Sequence, residues 1–125
     1  MKRRNTVKVT IFIMLKSDQK YTSYIEVLKS ELVPAAGCTE PIAIAFAAAK
    51  AHSVLGKLPE KVVIYVSGNI IKNVKSVVVP NTGGLRGIEA AAAAGIAAGD
   101  ASKVLEVIAD VDENGKQRIL DFLKL

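Results

Sequence analysis

Two alanine-rich runs restrict what this chain can fold into. "PIAIAFAAAKAHSVL" ends at Leu55 and "LRGIEAAAAAGIAAG" begins at Leu85. Both are long and apolar enough for helices, yet their side chains are too small to fill much space. Half of the residues are hydrophobic and only 5% are aromatic. The core must therefore come from close backbone approach. The 125 residues suffice for one compact domain and are too few for two ordinary ones.

The first run starts well. Thr39 is a good N-cap, Glu40 suits the positive end of the helix dipole, and Pro41 falls where early N–H groups lack partners anyway. Gly56 is a plausible stop. Because the run is apolar nearly all round, a central, buried helix is expected. The second run predicts a helix over about residues 85–98. Gly87 and Gly95 each weaken it by about 1 kcal/mol relative to alanine. Glycine there points to tight packing against another element, the equally small-faced first run being the candidate.

Between the runs, "KVVIYVS" (residues 61–67) is rich in β-branched residues and predicts a strand. Ser67, Gly68 and Asn69 predict a turn. "IIKNVKSVVV" predicts one strand or two short ones up to Pro80, and "NTGG" a loop. Before the runs, Tyr21, Tyr24, Ile25, Leu28 and Leu32 fall at helical spacing after Ser17 or Asp18, and Val33-Pro34 ends that helix. After them, Asp100 can cap a short helix "ASKVLEVIA". "DVDENGK" predicts a turn and "QRILDFLKL" a closing amphipathic helix. The expected class is α+β: mostly helical, with a small β-sheet or hairpin between two alanine-rich buried helices.

The net charge of +5 resides in the first 20 residues, and residues 21–125 balance to zero. That pattern argues against a polyanion-binding body. Residues 1–16 are expected to be a basic N-terminal extension and 17–125 the folded part. The start has a basic end and an apolar run, as a signal peptide would, but Lys8 interrupts the run and no small-x-small cleavage site follows. The alternation Val7, Val9, Ile11, Ile13 is equally a strand pattern. No stretch predicts a membrane span, since Lys50 and His52, or Arg86 and Glu89, interrupt the alanine tracts. A single cysteine excludes an internal disulfide and fits a reducing, cytoplasmic setting.

Cys38 is the residue with the most chemical potential. His52, the only histidine, lies roughly 20 Å further along the same expected helix at 1.5 Å per residue, so a Cys–His nucleophile is excluded within one straight helix. The chain offers no Cys or His cluster for a zinc ion. On composition alone Cys38 is a small apolar filler. "SGNIIKN" and "PNTGGLRG" place Asn, Ser, Thr and Gly at the ends of apolar segments. They are either tight turns or loops presenting N–H groups to an anion. Gly84-Leu-Arg-Gly87 has a G-x-x-G spacing, but a strand and Pro80 precede it and only Arg86 is basic, so an RNA clamp does not fit. Neither a Walker A nor a dinucleotide fingerprint is present.

"ELVPAAGCTEPIAIAFAAAKA", "VSGNIIKN" and "VPNTGG…GIEAAAAAGIAAGD", in this order, resemble the N-terminal part of the L-cysteine desulfidase family, related to the alpha chain of iron–sulfur L-serine dehydratase. The resemblance implies a cytoplasmic lyase with a four-iron, four-sulfur cluster. Such an enzyme makes pyruvate and ammonia from L-cysteine or L-serine, with release of sulfide or water. Cys38 would be the first of three cluster ligands, the other two lying in sequence outside these 125 residues. Thr39, Glu40, Ser67, Asn69, Lys72, Asn73 and Thr82 would bind or orient the amino acid, with no residue assigned as base. The partners implied are a small amino-acid substrate and a missing C-terminal half or companion subunit. A homo-oligomer would follow from alanine faces left exposed over residues 43–51 and 90–98; neither nucleic acid nor membrane is implied. A chain so reduced would be inactive alone. The alternative is a non-catalytic remnant or a module binding a small molecule or a protein.

Overall fold

The computed structural model describes residues 13–125, which fall into two compact units divided between Leu32 and Val33. The strand pattern at Val7, Val9 and Ile11 lies outside the described residues.

The first unit contributes α1, Gln19–Glu31. It is the helix that the spacing from Tyr21 to Leu32 predicts, and none of its residues is buried. Its apolar side chains Tyr24, Val27 and Leu28 are exposed.

The second unit is built on α2 (Thr39–Leu55), α3 (Gly68–Val74), α4 (Gly87–Ala98) and α5 (Glu113–Phe122), with a 3-10 segment at Ala101–Glu106. Cys38, not Thr39, holds the N-cap position of α2, and Gly56 ends it in the left-handed conformation. The central helix is α4, whose residues Ala90 to Ile96 are all buried. It packs on α2, α3 and α5. This corrects the expectation that the first alanine run is the buried one: α2 keeps Ala43, Ala47 and Ala51 exposed along one side. It also removes the exposed alanine face expected on the second run.

Small residues make the α2–α4 contact. A Cβ at Gly95 would overlap the Ala45 carbonyl group and lie 3.0 Å from the Ala45 Cα. The two backbones therefore touch where the sequence has glycine against alanine. Around this seam Ile42, Val74, Val79, Val107, Ile108 and Ile119 fill the core and are shielded from solvent almost completely. Each large aliphatic side chain contributes about 1.5–3 kcal/mol by burial.

The α+β class does not hold. Among the described residues there is no strand, sheet or hairpin; one isolated antiparallel bridge joins Val78 to Arg86. Two physical reasons account for it. "GNIIKNV" is helical because the Ser67 hydroxyl accepts the Ile70 N–H at 3.3 Å, a cap that starts a turn where β-branched content suggests a strand. "KVVIYV" has the composition of a strand but, among the described residues, no neighbour to pair with. At the end of the chain the Asp112 carboxylate accepts the Gly115 N–H at 2.7 Å and starts α5 inside the expected turn.

Candidate functional site

The three sequence segments singled out above converge at the N-terminal end of α2. Gly37, at φ 144°, sits directly on Pro80: a Cβ there would come within 2.7 Å of the proline Cγ. The Ala36 N–H donates to the Leu105 carbonyl at 3.1 Å. The turn carrying Cys38 is thus fixed between the Pro80 loop and the 3-10 segment.

Glu40 is the hub. Its Oε2 accepts from the Cys38 thiol at 3.2 Å and from the Thr39 hydroxyl at 3.4 Å. Its Oε1 accepts from Asn73 Nδ2 at 3.3 Å, across 33 residues of sequence. The donation from Cys38 holds the Glu40 carboxyl below its ordinary value, assisted by its own backbone, Asn73 and Thr39. The same hydrogen bond holds the Cys38 thiol above its ordinary value, since ionising it would place a thiolate beside a carboxylate. Cys38 is exposed, and its thiol is the donor in the bond to Glu40.

The other candidates separate from this cluster. Ser67 is used in capping α3. Thr82 is buried and donates to the Val79 carbonyl at 2.8 Å. Asn69 and Lys72 are exposed on α3. His52 lies in the last turn of α2, at the opposite end from Cys38. Asn81 was not among the candidates, yet it ties the Pro80 loop in place: at φ 58° its Nδ2 donates to the Ile108 and Ala109 carbonyls at 3.0 and 3.1 Å. The signal for it is residue type, asparagine being among the non-glycine residues most at ease at positive φ.

One thiol does not fit a four-iron cluster, which takes several cysteine ligands. Among the described residues no group of three or more His, Cys, Asp or Glu side chains could hold a metal ion. No helix there is long and apolar enough to cross a membrane.

A separate apolar groove of about 570 Å³ runs between α2 and the extended segment at residues 61–66. It shares no lining residue with the Cys38–Glu40–Asn73 cluster.

The chain is similar to proteins named UPF0597. That of Desulfitobacterium hafniense (strain Y51) is 64% identical over 110 residues, covering 88% of this chain and 26% of the relative. That of Treponema denticola is 56% identical over 94 residues, covering 75% and 22%. That of Fusobacterium nucleatum subsp. nucleatum is 51% identical over 106 residues, covering 85% and 25%. The chain thus spans about a quarter of the length of the curated relatives it matches. No family model and no solved structure matches it. These relatives correct the reading as a cysteine desulfidase or serine dehydratase: they carry the UPF0597 name, and nothing in it indicates a lyase or an iron–sulfur protein. They give no support to a non-catalytic remnant or binding module either.

Proposed function

We propose that Cys38, Thr39, Glu40 and Asn73 form the polar wall of a substrate site in a UPF0597-like protein, one that takes a small molecule with an ammonium group, an amino acid being the simplest. The observation that carries this reading is the Glu40 carboxylate. It gathers three side-chain donors from two helices and is held ionised by them. A carboxylate oxygen has lone pairs beyond those three bonds, and an ammonium group is their natural partner. Cys38 would contribute a thiol donor next to it. The remaining walls would come from polypeptide equivalent to the rest of the relatives. A cytoplasmic setting agrees with one exposed thiol that has no disulfide partner in the chain.

The test uses a chimera in which this chain replaces the matching region of the Desulfitobacterium hafniense relative. Millimolar amino acids should protect Cys38 from iodoacetamide, and Glu40→Gln should weaken that protection at least tenfold, with Asn73→Ala intermediate. If no amino acid slows the alkylation of a folded chimera, the reading fails.

A further inference from the structure

Residues 61–66 form an extended segment that has the composition of a core strand and, among the described residues, none of the partners of one. Val62, Val63 and Ile64 are 41%, 60% and 37% exposed, and Tyr65 is 92% exposed. Consecutive side chains of an extended segment point to opposite sides, so both sides of this one are open. Among the described residues, no hydrogen bond involves the backbone of residues 57–66. Such a row of free N–H and C=O groups beside apolar side chains is a template for another strand. Next to it lies the 570 Å³ groove, floored by the exposed Ala47 and Ala51 of α2 and by Ile70.

We infer that residues 61–66 are a sheet strand whose neighbour is an apolar strand in the polypeptide that makes up the other three-quarters of the UPF0597 relatives. Two observations select this occupant. The relatives are about four times as long as the region matched here, so most of their polypeptide has no counterpart in the 125 residues. The α2 side of the groove is mostly apolar, with Ala43, Ala47, Ala48 and Ala51 leaving room between larger residues such as Ile44 and Leu55, which suits apolar side chains arriving from the incoming strand. Main-chain hydrogen bonds would supply the pairing, and side chains of one parity would fill the groove over Ala47 and Ala51.

Hydrogen exchange tests this in the same chimera, read against the 125-residue chain alone. The alternate amides of residues 62–66 that face the paired edge should exchange at least a hundredfold more slowly in the chimera. Alternate amides face opposite edges, so Val63→Pro and Ile64→Pro probe one edge each. At least one of them should abolish the protection of its neighbours, while Val63→Thr keeps it. Circular dichroism of the 125-residue chain should be unchanged by either proline, since neither residue makes a backbone hydrogen bond among the described residues. The inference is overturned if these amides exchange equally fast in both proteins, or if neither proline reduces the protection. It is also overturned if they are already protected in the short chain in a concentration-dependent way, which would make a second copy the partner.

Discussion

Gly95 of α4 lies against the main chain of Ala45 in α2, with no room for even one carbon atom between them. Backbone, not a flexible side chain, blocks the space, so a substitution must push two helices apart. Gly95→Ala should therefore destabilise the protein despite alanine's better helix propensity. Overpacking typically costs about 1–3 kcal/mol, and a clash with main chain belongs at or above the upper end. Gly68 is the control. It opens α3, has an ordinary backbone conformation, and has nothing within 4 Å of its missing Cβ. Gly68→Ala should be neutral or stabilising by up to about 1 kcal/mol. Urea denaturation of the two variants should show opposite signs.

Cys38 and Glu40 form a titrating pair whose signs are opposed. The Glu40 carboxyl is lowered, so its contribution is present above the ordinary carboxyl range and fades as pH falls through the lowered value. The Cys38 thiol is raised, so its contribution is present below the ordinary thiol range and fades as pH rises through the raised value. The pH profile of iodoacetamide alkylation should have its midpoint above that of a free cysteine. Glu40→Ala should move it down and speed alkylation at pH 8. An unchanged profile would show that the thiol does not donate to this carboxylate.

What could be read from the sequence follows from the range of the forces involved. Helix stops and starts are local, so Gly56 and the Asp100 cap lie at helix or 3-10 boundaries; the Asp112 cap, inside a segment expected to be a turn, is where α5 begins instead. Gly95 was legible because glycine weakens an alanine helix, a cost that close backbone packing offsets. The strand assignments failed where a non-local term decides. A β-branched run becomes a strand only when a neighbour accepts its hydrogen bonds, and "KVVIYV" has none among the described residues. For "GNIIKNV" the Ser67 cap outweighs β propensity. In the site, the nearness of Cys38 and Glu40 follows from helix geometry. Asn73 reaches Glu40 only through the packing of α3 on α2, and no sequence spacing announces that. The family resemblance rested on motifs shared in order, which specify a local scaffold and leave the protein's chemistry open.

Val104 is a strained residue. At φ 50° and ψ −110° a β-branched side chain sits in a conformation that favours glycine, inside the 3-10 segment Ala101–Glu106. Its side chain is about half exposed, so little packing is lost on truncation. Such a conformation costs about 1–3 kcal/mol. Val104→Gly should raise stability by roughly 1 kcal/mol after glycine's greater unfolded-state entropy is subtracted. A thermal melt at matched concentration checks it, and a lowered midpoint would remove the strain argument.

Thr82 separates a structural hydroxyl from a ligand-binding one. It is 3% exposed, the only buried polar side chain among the described residues, and its Oγ1 donates to the Val79 carbonyl at 2.8 Å. That bond closes the Pro80 loop on itself, and the loop in turn carries Pro80 against Gly37 beside Cys38. Thr82→Val keeps the shape and removes the donor, leaving a carbonyl short of a partner; it should cost about 1–3 kcal/mol. Thr82→Ser keeps the donor and loses one methyl group, so its cost should stay near about 1 kcal/mol. The loop's disturbance should also reach the site: Thr82→Val should alter the Cys38 alkylation profile, and Thr82→Ser should leave it in place. If both variants unfold at the same denaturant concentration as the parent, the hydroxyl has no structural role and its burial has another cause.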